Sequence, residues 1–154
     1  MKSSGKRMKN AGPARASAKK YFTPAEANQM LPLVRAIVKD IVELARGAED
    51  REARLARLRK DGVAMGIITR PQLEEEESAY EREVERIQEC TAELAQLGVE
   101  LKDMRTGLID FPGWIDGREV CLCWKLGEPE LAWWHEVDAG YRGRQPLHMT
   151  ADAK

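Results

Sequence analysis

The residues able to do chemistry crowd into the last third of the chain. Asp110, Cys121, Cys123, Glu128, His135, Glu136, Arg142 and Arg144 are interleaved there with all four tryptophans, Trp114, Trp124, Trp133 and Trp134. Thiolate, imidazole and carboxylate are the donors of a zinc-type site, so Cys123, His135 and Glu136 form a candidate set for a divalent metal such as zinc, with Asp110 and Glu128 also competent. Against it stands the spacing: Cys-x-Cys on one strand is a weak zinc signal, and neither Cys-x-x-Cys nor His-x-x-x-His is present. Arg142 and Arg144, flanked by Gly140 and Gly143, could instead take a small anion through their guanidinium forks. Asp110, Glu128, His135, Glu136, Arg142 and Arg144 are therefore the candidate ligand-binding residues.

The same residues can also satisfy one another. Cys121 and Cys123 then act as small buried hydrophobes. His135 bonds to Glu136, Glu119 or Asp110, and Arg144 pairs with Asp110, Glu128 or Glu136. General acid–base work by His135 with Glu136 or Asp110 is chemically open. No nucleophile elbow, Cys-His-Asn arrangement or phosphate-binding glycine loop accompanies it, so no catalytic residue is assigned and a binding role is favoured over an enzyme.

Three short strands must position these groups: Gly107 to Phe111, Glu119 to Lys125 and Leu131 to Glu136, separated by turn sequences at 112–117 and 127–130. If the second hairpin closes about Gly127 and Glu128, Trp124 faces Leu131, Leu122 faces Trp133 and Val120 faces His135 on one side. Cys123 with Ala132, Cys121 with Trp134 and Glu119 with Glu136 occupy the other.

Upstream the period becomes helical. Thr23-Pro24-Ala25-Glu26 is a capping box with proline in the first turn. Met30, Val34, Ile37, Ile41, Leu44, Ala48, Leu55 and Leu58 then follow coiled-coil-like steps of three and four, interrupted by Arg51, up to the stop at Asp61 and Gly62. Pro32 predicts a kink near Leu31. A second box, Thr69 to Gln72, opens a helix with the seam Leu73, Glu77, Tyr80, Val84, Ile87, Thr91 and Leu94, ended by Gly98. Glu74 to Glu77 lie in its first turns, where the helix dipole favours carboxylates. The link between the helices carries Val63, Met65, Ile67 and Ile68, too apolar to stand free in solvent. The predicted fold is α+β: a long antiparallel two-helix hairpin followed by a small three-stranded antiparallel β-meander. A two-helix hairpin leaves part of its apolar stripe open, and pairing of two copies as a four-helix bundle is the simplest cover.

Five strings, Gly98-Val-Glu-Leu-Lys-Asp103, Gly107-Leu-Ile-Asp-Phe-Pro112, Leu122-Cys-Trp-Lys-Leu-Gly-Glu128, Trp134-His-Glu136 and Gly140-Tyr-Arg-Gly-Arg-Gln-Pro146, resemble the prokaryotic family of domain of unknown function 2203. The start from Tyr21 to Glu26 and the following Leu31-Pro32-Leu33 are similar to it as well. The resemblance spans residues 21 to 147 and implies no particular activity, cofactor or catalytic residue.

The 154 residues suggest a single domain, and 25 basic against 26 acidic residues give a net charge of -1. That balance hides a division. Residues 1 to 20 hold seven basic residues and no acid, leaving 18 basic against 26 acidic residues in the remainder. Poor in large apolar side chains, this arm is expected to be disordered. It could give weak, salt-sensitive nucleic-acid contact, opposed by the acidic body. The rest divides into a hairpin over 21–98, a Trp-rich module over 99–147 and a flexible tail over 148–154. With no signal-peptide core, no apolar run long enough for a membrane span, and three cysteines in no disulfide pattern, the chain reads as cytoplasmic. The expectation is a non-catalytic binding or assembly module that dimerises through its hairpin. The alternative is a metal- or small-anion-binding protein.

Overall fold

A computed structural model describes residues 19–148. The expected disorder of residues 1–20 and flexibility of 148–154 concern segments outside those residues, apart from Lys19, Lys20 and His148. Helix α1, Pro24–Arg57, begins at Thr23, whose hydroxyl accepts from the Glu26 amide while the Glu26 carboxylate accepts from the Thr23 amide. Pro32 lies inside the helix, which is assigned without interruption. One π-helical turn, Leu58–Gly62, ends it at the expected stop. Helix α2, Arg70–Gln96, begins with the same reciprocal box between Thr69 and Gln72. Val63 and Ile68 of the connection pack on Leu55, Leu58 and Leu73, whereas Met65 and Ile67 are exposed.

Charge joins the helices where apolar contact thins. Arg51, the polar interruption of the first seam, donates to Glu76 and Glu83, and Arg59 donates to Glu77. The acidic run of α2 thus partly serves as a set of cross-helix partners. No helix among the described residues is long and apolar enough to cross a membrane.

The remainder is a five-stranded antiparallel sheet in the order β1 (Glu100–Asp103), β2 (Leu108–Ile115), β3 (Arg118–Lys125), β4 (Trp133–Glu136) and β5 (Gln145–Pro146). The α+β class and helical hairpin agree with expectation, but the three-stranded meander is corrected to five strands. The two added edge strands are too short to show a period. The second strand also runs on to Ile115 through Pro112, which the sequence reading assigned to a turn. Its neighbour changes at that point: β1 pairing stops at Asp110, and the Pro112 carbonyl accepts from Phe22 in a parallel bridge. The hairpin turns at Asp116 and Gly117, both at positive φ, as a two-residue β-hairpin turn favours.

The second hairpin is one residue out of the expected register. Cys121 pairs with His135 and Leu122 with Trp134. Leu131 is drawn onto α1 instead of into the ladder, its amide and carbonyl both bonded to the side-chain amide of Asn28. With Leu131 held there, the ladder resumes one residue out of the expected register, which turns β4 over relative to the expected faces.

One sheet face carries Ile109, Phe111, Val120, Leu122 and Trp124, fully buried against Ala27, Leu31, Val34, Val38 and Ile41 of α1. The opposite face carries the chemistry.

Candidate functional site

Strand pairing brings the polar cluster together. Asp110 on β2 lies opposite Cys123 on β3, and Cys121 lies opposite His135 on β4, so all four side chains share the face turned away from the helices. Asp110 and His135 are 2 % and 3 % exposed, and both cysteines are buried. His135 Nδ1 stands 2.7 Å from the carbonyl oxygen of Glu136, while Nε2 is 3.1 Å from each carboxylate oxygen of Asp110. Ligand atoms of Asp110, Cys123 and His135 lie within 4.8 Å of one another.

This geometry constrains hydrogens. A carbonyl only accepts, so Nδ1 carries a proton and the ring is fixed with Nε2 towards Asp110. An ionised carboxylate also only accepts. The short Nε2 contacts therefore require a proton on one partner or another cation between them.

Burial pushes the Cys121 thiol up to about 11 and the Cys123 thiol up to about 12, with the negative charge of Asp110 the next cause in each case. The Arg144 guanidinium opposes the rise at Cys123. Both sulfurs are neutral at physiological pH unless a cation displaces the proton.

Beside this cluster lies a second one. Arg144 Nη2 donates to both oxygens of Glu128, at 2.9 and 2.8 Å, and the guanidinium lies over the rings of Trp133 and Tyr141 at 4.8 and 4.7 Å. Arg144 Nε is buried without a hydrogen-bond partner among the described residues. Glu128 also accepts from the Lys125 amide, and its carbonyl accepts from Trp124 Nε1, so the loop before β4 is fastened to β3. Lys125 first, and then Arg144, hold the Tyr141 hydroxyl below its ordinary value.

Of the residues singled out from sequence, Asp110, Cys123 and His135 meet in the first cluster, and Glu128 and Arg144 in the second. Glu136 does not join the metal-competent set: its side chain points to the other face and pairs with Arg118 at 3.2 Å, leaving only its carbonyl at His135. Asp110 takes the place that the sequence reading gave it. Arg142 is exposed on the 3-10 turn Tyr141–Gly143, and Glu119 pairs with Lys19. Trp133, Tyr141 and Lys125 were not singled out as partners of Arg144. Their signal was only the adjacency of aromatic and basic residues. Trp124 belongs to the core, whereas Trp114 is half exposed beside Tyr21.

Neither a curated protein nor a solved structure matches the chain. The family model described as uncharacterized conserved protein (DUF2203) matches residues 20–147, a span that includes both helices and every member of the two polar clusters. The chain belongs to the DUF2203 family.

Proposed function

We propose that the protein is a non-catalytic binding and assembly module in which two copies pair along their helical hairpins. The observation that carries this reading is a groove of about 590 Å³ between the helices and the β1–β2 turn, with Val42, Ala45, Ala48, Tyr80, Val84, Ile87 and Met104 among its walls. Two helices alone leave such a stripe open, and pairing two hairpins closes it. Charged residues border it: Arg105 pairs with Glu49 within the chain, while Arg46 and Glu52 also line the groove and are of opposite sign, as an isologous contact can use. The distal hairpin has only a thin core of its own, Leu55, Leu58 and Leu73 with their few neighbours.

Two further features favour binding over catalysis and a reducing, cytoplasmic setting. Asp110 and His135 are shut away from solvent, and the three cysteines are buried and unpaired. Sedimentation equilibrium checks the assembly. A dimer is expected for the native chain, and Val84→Asp with Ile87→Asp should yield a monomer of unchanged helical content. A native chain that stays monomeric as concentration rises would overturn the reading.

A further inference from the structure

We propose that Asp110, Cys123 and His135 form a closed structural site for one divalent cation of the zinc class, holding β2, β3 and β4 together on the face of the sheet away from the helices. Three independent features of the cluster point there. The first is donor chemistry: carboxylate, thiolate and imidazole from three adjacent strands converge with every ligand atom within 4.8 Å of the others. Metal–ligand bonds of about 2.0 Å in a tetrahedral shell place nitrogen and oxygen donors about 3.3 Å apart. The observed 3.1 Å from His135 Nε2 to the Asp110 oxygens is already close to that edge.

The second is ring orientation. His135 Nδ1–H donates to the Glu136 carbonyl, the outer-shell bond that fixes the tautomer of a metal-bound histidine and leaves the Nε2 lone pair for the metal. A divalent ion between the two would take that lone pair and a carboxylate oxygen of Asp110 together, both being buried.

The third is the surrounding charge: the Arg144 guanidinium, bonded to both oxygens of Glu128, lies over the ring of Trp133, the residue opposite Cys123 across β3 and β4. Cys121 is a further soft donor on the same face, two residues along β3 and opposite His135, and supplies the fourth position of the tetrahedral shell that a structural zinc site fills with protein ligands.

Binding is balanced in charge and protons. The Cys123 S–H bond breaks, the sulfur electron pair goes to the metal, and the proton leaves to solvent together with any proton held between His135 and Asp110. No oxidant or reductant takes part.

The test uses the full chain, stripped with a chelator and titrated with Co(II), then with Zn(II) in competition. The expected result is one equivalent of Co(II) with a thiolate-to-metal charge-transfer band in the near ultraviolet. Zn(II) should abolish that band, and Cys123→Ser should lose it. Asp110→Asn should weaken binding at least tenfold, with the circular dichroism spectrum reporting that each variant is folded. Absence of a charge-transfer band in the folded native chain overturns the proposal, and so does a band that survives Cys123→Ser. Because the groove lies on the hairpin and the cluster on the sheet, sedimentation of the same metal-free samples reports the dimer separately, so either reading can fail alone.

Discussion

At the scale of the residue, Asp110 governs the site. Its carboxylate meets the imidazole of His135 and raises both thiols, and all four groups are buried. For the metal-free protein this fixes the sign of an alkaline effect. Cys121 and Cys123 keep their protons in the folded chain up to about 11 and about 12, whereas the unfolded thiols lose theirs near 9. Above pH 9 the unfolded state therefore binds fewer protons than the folded one, and stability falls as pH rises towards 12. Below 9 the contribution is intact. Chemical denaturation at a series of pH values should show this decline, and the double variant Cys121→Ala, Cys123→Ala should show a shallower one. Equal slopes would mean that these thiols are not shielded.

At the scale of the element, turns and caps carry information out of proportion to their length. Gly107 has φ of 73° in the β1–β2 turn, and a Cβ there would meet Leu126 Cβ at 2.7 Å and Val38 Cγ1 at 2.9 Å. Gly117 has nearly the same φ but open space around it. Alanine at either position should cost about 1–2 kcal/mol for the left-handed backbone. At Gly107, overpacking should add about 1–3 kcal/mol. Thermal denaturation of the two variants isolates the difference, and equal losses would show that the turn does not press on α1. Both capping boxes were legible in the sequence because their chemistry is local: Thr23 needs only Glu26, and Thr69 only Gln72. The alternation of β3 was legible for the same reason: Val120, Leu122 and Trp124 share one face and Glu119, Cys121 and Cys123 the other, as expected. β1 and β5 were not, since four residues and two residues hold no usable period. Pro112 misled because proline is rare inside strands, and only the change of partner from β1 to Phe22 lets it stay. The seam of α2 uses Cys90, one turn before Leu94, where the expected seam used its neighbour Thr91. For the candidate site, the residue types were legible, and both Arg144 with Glu128 and His135 with Asp110 were among the expected pairs. The place of His135 on the same face as the cysteines was not, because it depends on the register of β4, which follows Leu131 and its bonds to Asn28, 103 residues away.

At the scale of the whole molecule, hairpin and sheet are joined by a shared apolar core and a few long-range polar bonds. Asn28 holds both backbone groups of Leu131, Arg35 donates to the Pro129 carbonyl at 3.0 Å, and the Phe22 amide donates to Pro112 at 2.8 Å. Asn28→Ala leaves the Leu131 amide and carbonyl without partners and should destabilise the protein by about 1–3 kcal/mol. Denaturant titration measures that loss, and amide exchange should rise across residues 129–136. A variant as stable as the native chain, with unchanged exchange there, would remove Asn28 from the role of setting the β4 register. The Asn28 clasp also has a meaning in time. Each helix and each strand finds its partner next to it along the chain, so the hairpin and the successive strands close small loops early, whereas Asn28 and Leu131 can meet only after a loop of about a hundred residues has closed. The last strand to find its register is then β4, which carries His135. The polar face is thus the final part of the molecule to assemble, and its ligands come together only in a chain whose two halves have already docked.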